Sequence, residues 1–246
     1  MHVWCRATGA GDLDDAHDAD LRHLSADERA RCARFIFARD RRDFAAAHAL
    51  LRDRLSHYGG VDPAAWTFDA APGGKPFIVS ATGEPALAFN LSHTRGFVAC
   101  AIAGAGDLGI DVESIDRAAD GRAIAERYFS ASECDGLDAC ETRDRAVRFI
   151  ELWTLKEAYV KAIGRGLSHP LDAFAFTFEG DRGLRFHAPE DAQASAWTFA
   201  LFAPSPQYRM AVAVGAAPLP HGSLVARFVD GTVAQAIRES GAKTQT

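Results

Sequence analysis

The stretch "LAFNLSHTRGFVACAIAGAGDLGIDVESI", residues 87–115, constrains the fold more than any other part of this chain. Its apolar runs are broken by Gly-rich turns, which predicts two or three strands in hairpin connection. Helical signals lie on both sides. "SADERARCARFIF" opens with Ser25 and Glu28 in capping-box spacing, and Ser130 and Glu133 repeat that spacing. "RRDFAAAHALLRDRLSHYGG" ends in Gly59-Gly60, and a long helix is expected from about Arg145 to Ile163. A short strand is expected near His2–Arg6, and "APGGKPFI" reads as a turn leading into another. Alternation in "FAFTF", "LRFHA", "WTFALF" and "YRMAVAV" predicts a closing antiparallel set. Strands, helices, strands and helices again indicate an α+β fold rather than a doubly wound sheet. The order suggests two lobes of similar plan. The lobes divide near Gly104–Asp107, into residues 1–105 and 106–220, with a peripheral tail over 221–246.

Several classes of function are disfavoured at once. The formal net charge of −6 argues against a general nucleic-acid binder. No long apolar run suggests a membrane span, and "MHVWCRATGAGD" lacks a signal pattern, so a cytoplasmic protein is expected. Cys5, Cys32, Cys100, Cys134 and Cys140 form no CxxC pair, which argues for reduced thiols over zinc or a disulfide framework. Eight arginines fall within residues 29–54 against three aspartates. That surplus suits either a polyanionic small ligand or a solvated helix face.

Lysine usage is more telling. The chain holds 23 arginines but only four lysines: Lys75, Lys156, Lys161 and Lys243. Where a generic positive charge suffices the sequence uses arginine, so the retained lysines are candidates for compact ammonium groups able to give up a proton. Lys243 sits in the polar tail "GAKTQT" and carries little information. In "WTLKEAYVKAIGRGL", Leu155, Tyr159 and Ile163 form, with the preceding Leu152, the core stripe of a helix, with Glu157 and Lys161 almost opposite. Glu four residues before Lys is a favoured surface pair worth ~0.2–0.5 kcal/mol, and an acid–base pair is the alternative.

In "LGIDVESI", Ile110 and Val112 alternate with Asp111 and Glu113, so the two carboxylates share one strand face. They mark either a solvated acidic face or hard oxygen ligands for Mg²⁺. Ser92 and His93 end a strand, as turn-capping groups or as donors to phosphate oxygens. Neither a G-x-S-x-G elbow nor a Walker A or G-x-G-x-x-G signature occurs.

Taken in order, "GKPF", "FNLSH", "GIDVE", "RYFSASE" and "WTLKEAYVKAIGRGL" resemble the 4′-phosphopantetheinyl transferases, in the longer two-lobed type that serves peptide and polyketide synthases. The resemblance spans roughly residues 25–170, including "ADERARCARFIFARD". It implies a monomeric pseudo-dimer of two similar lobes, each an antiparallel sheet packed with helices, with coenzyme A and Mg²⁺ held between them. It implies transfer of 4′-phosphopantetheine to a serine of an apo acyl or peptidyl carrier protein, with release of adenosine 3′,5′-bisphosphate.

By position, the resemblance makes Asp111, Glu113 and Glu157 metal ligands, and Glu157 and Lys161 the catalytic pair. Lys156 and Lys161 would lie beside the pyrophosphate. Arg31, Gly74, Lys75, Asn90, Ser92, His93 and Asp111 complete the coenzyme A site. Glu28 stands where some members carry a basic residue, which implies that one phosphate ligand is missing or is supplied by a neighbouring arginine. Two rivals stay open on the residues alone: another carboxylate–Mg²⁺ phosphoryl transferase or phosphatase, and a silent module that binds coenzyme A or a carrier.

Overall fold

A computed structural model describes residues 1–9, 15–79, 87–180, 183–190, 192–215, 224–229 and 231–240; Lys243 lies outside them. Strand β1 (His2–Ala7) precedes helices α1 (Asp15–His23), α2 (Ala26–Ala33) and α3 (Ala38–Gly59). A small hairpin, β2 (Phe68–Ala70) and β3 (Pro76–Ile78), leads to β4 (Ala88–Thr94), β5 (Phe97–Ala103) and β6 (Leu108–Ser114). Helices α4 (Gly121–Tyr128), α5 (Ala131–Asp138) and α6 (Thr142–Ile163) follow. The chain closes with β7 (Ala175–Glu179), β8 (Gly183–His187), β9 (Trp197–Ser205), β10 (Tyr208–Gly215), β11 (Val225–Phe228) and β12 (Val233–Ser240).

Local chemistry sets the helix ends. Both expected capping boxes form, starting α2 at Ser25 and α5 at Ser130. The two 22-residue helices, α3 and α6, stop at Gly60 and Gly164, whose φ angles of 69° and 68° suit glycine.

The main sheet runs β4-β5-β1-β11-β12-β9-β10-β6, with β7 and β8 joined to it through β12. Helix α3 packs Leu50, Leu51 and Leu55 on Phe89, Val98, Cys100 and Ile102. Helix α6 packs Leu155 and Tyr159 among Phe176, Phe199 and Leu201. Between these layers, alternate residues of β1, β5, β6, β9 and β10 meet in a shared apolar core, including Val3, Ala99, Ile110, Phe202 and Val212. Strand β5 is therefore buried on both faces. The result is an α+β fold of two helix-backed halves. Each buried Leu or Phe contributes ~1.5–3 kcal/mol, far more than a surface ion pair, so packing decides where α6 lies.

One expectation is corrected. Strands β11 and β12 are not peripheral: β11 pairs with β1 and β12 with β9, so they splice the two halves into one sheet. Their pairing is long-range and their sequence, "VAQAIRES" in β12, carries no clean apolar alternation.

Candidate active site

Strands β4 and β6 stand at opposite ends of the strand order, and side chains rather than a ladder bridge them. Asn90 Oδ1 accepts the Ile110 N–H at 2.9 Å. Ser92 Oγ accepts the Val112 N–H at 3.2 Å and donates to Asp111 Oδ1 at 2.9 Å. Thr94 Oγ1 donates to Glu113 Oε2 at 2.9 Å. The two-residue period of a strand puts Asn90, Ser92 and Thr94 on one face of β4, which makes them a polar seam between the halves.

On β6 the same period sends Ile110 and Val112 into the shared core and turns Gly109, Asp111 and Glu113 the other way. Helix α6 lies against that second face. It comes so close that a Cβ on Gly109 would stand 1.9 Å from the Ala158 carbonyl oxygen and 2.6 Å from the Ala162 nitrogen. The approach delivers Lys161, whose Nζ donates to Asp111 Oδ1 at 2.6 Å and to Ser92 Oγ at 3.1 Å. Lys161 thus engages a group 50 residues away, beyond any role as a helix surface pair.

The carboxylates here are crowded. Burial, and then the charge of Asp111, pushes the Glu113 carboxyl up to about 7, with Arg117 and Thr94 opposing. Burial and then Asp111 also raise Glu157, with Lys161 opposing. Among the described residues no group of three or more His, Cys, Asp or Glu side chains is already gathered around a metal position. The donor set nonetheless fits a hard divalent cation: the Asp111 carboxylate repels both Glu113 and Glu157, and Asp111 Oδ2 is buried without a hydrogen-bond partner.

The residues expected around coenzyme A separate into groups. His93, on the face of β4 opposite the seam residues, opens to solvent; desolvation by its surroundings lowers its pKa, Asp43 opposes, and His48, Lys161 and Arg31 lower it further. Arg31 is exposed beside it, so an anion there would meet the Arg31 guanidinium and the ring N–H of a largely neutral His93. Asn90 and Ser92 are buried in the seam. Gly74, at φ 81°, spends its N–H on the Ala71 carbonyl, and Lys75 Nζ donates to the Ala162 carbonyl at 2.6 Å. Glu28 is taken by the fold: it caps α2, and its carboxylate accepts from Arg52 at 2.7 Å and bonds His48 at 2.9 Å.

Lys156 is corrected outright. It is 0% exposed, and its Nζ reaches Glu133 Oε2 at 2.8 Å and the carbonyls of Leu171 and Phe174 at 2.7 and 2.8 Å. All three ammonium hydrogens are used inside the core, so none is left for a pyrophosphate. The physical reason is helical geometry, since five residues place Lys156 and Lys161 about 140° apart around α6.

Sequence reasoning missed Thr94 and Gly109. Polar residues at every second position of β4, at 90, 92 and 94, were the available signal for Thr94. Gly109 had only its place beside the acidic pair. Next to Thr94 opens a cleft of about 980 Å³, lined among others by Arg39, Arg95, Arg117 and Tyr208.

Two family models match this chain. One, described as the 4′-phosphopantetheinyl transferase superfamily, covers residues 107–213; the other, 4′-phosphopantetheinyl transferase, N-terminal, covers residues 13–105. The 4′-phosphopantetheinyl transferase HetI of Nostoc sp. is 38% identical over 145 residues, 59% of this chain and 61% of that protein. The 4′-phosphopantetheinyl transferase Sfp of Bacillus subtilis is 30% identical over 77% of this chain and 81% of its own length. The 4′-phosphopantetheinyl transferase psf-1 of Bacillus pumilus is 32% identical over 77% and 78%. With both halves matched, and the acidic strand and α6 inside the matched regions, the chain belongs to the 4′-phosphopantetheinyl transferase family of enzymes.

Proposed function

We propose that this enzyme moves 4′-phosphopantetheine from coenzyme A onto a serine of an apo acyl or peptidyl carrier protein, in a Mg²⁺-dependent reaction that releases adenosine 3′,5′-bisphosphate. The observation that carries the reading is the meeting of Lys161, Asp111 and Ser92 at the seam, with Glu113 and Glu157 crowded beside them. Asp111, Glu113 and Glu157 would hold the metal, which when bound neutralises the pyrophosphate charge. Arg31 would supply a positive charge, and His93 a ring N–H, to the 3′-phosphate. Glu157 would accept the proton of the carrier serine, directly or through a water. The serine oxygen forms its bond to the pantetheine-side phosphorus as the bond to the adenosine-side phosphate breaks. Lys161 offers its ammonium to the departing bisphosphate. We further read the protein as a cytoplasmic monomer with no nucleic-acid partner; among the described residues no helix is long and apolar enough to cross a membrane.

Mass spectrometry of an apo carrier incubated with the enzyme, coenzyme A and Mg²⁺ tests this. A gain of one phosphopantetheine is expected, abolished on chelation of the metal. An unmodified carrier, or hydrolysis of coenzyme A without transfer, overturns it.

A further inference from the structure

The last turn of α6 carries Lys161 and, as at any helix end, leaves backbone carbonyls without intrahelical partners. Two groups close over that turn from the other half of the molecule. Lys75 Nζ donates to the Ala162 carbonyl at 2.6 Å, a cation on the negative end of the helix dipole. Beside it the backbone of Gly73 lies against Gly164: a Cβ at Gly73 would stand 1.7 Å from the Gly164 carbonyl oxygen. The turn that brings these two residues is itself tied, with Gly74 N–H on the Ala71 carbonyl at 2.7 Å and Ala71 N–H on the Lys75 carbonyl at 2.9 Å. On its own half, α6 rests on Gly109 through Ala158 and Ala162. The helix end is therefore clasped from two sides, with Lys161 between the clasps.

We infer that Gly73 and Lys75 are positioning residues for phosphopantetheinyl transfer, holding the C-terminal turn of α6 so that Lys161 stays on Asp111. The inference rests on the proposed function for its catalytic consequence, but the clasp itself is a structural claim. The Ala162 carbonyl takes one of the three ammonium hydrogens of Lys75, so this positioning role stands beside any contact to a phosphate. Arginine at this position would bring a wider planar group to a single carbonyl beside a tight glycine approach, which accounts for one of the chain's few lysines.

Lys75→Met and Gly73→Ala test it by three readouts. Gly73 is not among the glycines of positive φ, so alanine there probes the close approach rather than the backbone. Amide hydrogen exchange over residues 155–166 should quicken by about tenfold in Lys75→Met, the scale of removing one charge-assisted hydrogen bond, while residues 142–152 keep their rate. At saturating substrates kcat should fall by a similar factor. Gly73→Ala should show both signs, with its preference for coenzyme A over 3′-dephospho-coenzyme A, measured by calorimetry, unchanged. A reduced preference with unaltered exchange would make Lys75 a phosphate ligand and overturn the inference, as would unaltered exchange in both variants. If the wild-type protein transfers nothing, the proposed function fails while the exchange measurement still decides the clasp.

Discussion

The Lys161 ammonium stands 2.6 Å from Asp111 Oδ1, joining the last turn of α6 to the polar face of β6. Lys161→Arg separates an electrostatic anchor from a catalytic group. Arginine keeps the charge and the helix, so melting should stay within a few degrees of wild type. Guanidinium is bulkier, planar and unable to give up a proton. Turnover should fall on the order of 10²-fold, the scale of general acid catalysis. Glu157→Gln should lose as much, and the double variant little more, because groups acting as a unit are non-additive. Near wild-type kcat in Lys161→Arg would reduce the ion pair to a structural bridge.

Gly109→Ala tests how closely the strand and helix must approach. Its methyl would sit 1.9 Å from the Ala158 carbonyl oxygen, so α6 has to lift from β6. Overpacking of this kind costs roughly 1–3 kcal/mol, and the lift also carries Lys161 away from Asp111. Both a lower melting temperature and a lower kcat are expected. An unchanged melting temperature would mean that the helix end yields freely.

How much of this was legible follows from the range of each interaction. The capping boxes of α2 and α5 and the glycine stops of α3 and α6 are local, and the sequence states them. The shared face of Asp111 and Glu113 follows from strand period. Scarcity marked Lys75, Lys156 and Lys161 as unusual, and each now has specific acceptors. Which acceptors they meet depends on pairings 15 to 87 residues away in sequence, which no local pattern encodes. The strands after residue 224 were missed for the same reason: their partners, β1 and β9, are distant in sequence.

Arg31 and His93 should report the 3′-phosphate. If they bind that group, alanine at either position should weaken coenzyme A much more than 3′-dephospho-coenzyme A. Charge-assisted hydrogen bonds of this kind are worth roughly 1.5–3 kcal/mol each. Equal losses for both ligands by calorimetry would place the phosphate elsewhere.

The buried Lys156–Glu133 pair predicts a stability effect and no binding effect. Both side chains are 0% exposed, and Glu133 also accepts from Ser130 and the Phe176 N–H. Lys156→Ala strands a carboxylate in the core and should cost about 3–5 kcal/mol. Lys156→Met with Glu133→Gln should recover much of this, since both charges leave together. Below the melting transition, affinity for coenzyme A should match wild type in both proteins. Weaker binding without loss of stability would return Lys156 to the ligand site.

Glu28 gives a pH signature of the fold alone. Burial raises its pKa, but hydrogen bonds from His48 and Arg52, the charge of His48 and the Ser25 N–H outweigh this and hold it at about 2, against an ordinary 4.5. A folded-state pKa below the unfolded one means that the ionised carboxylate stabilises the native protein. That contribution is fully present above about 4.5 and is lost as pH falls toward 2. Glu28→Gln removes the charge at every pH while keeping the size of the side chain. The melting-temperature gap between wild type and Glu28→Gln should therefore be widest just above pH 4.5 and close progressively on acidification. Thermal melts followed by circular dichroism across this window measure it directly. A gap that stays constant down to pH 2 would show that Glu28 does not hold α2 on α3 through its charge.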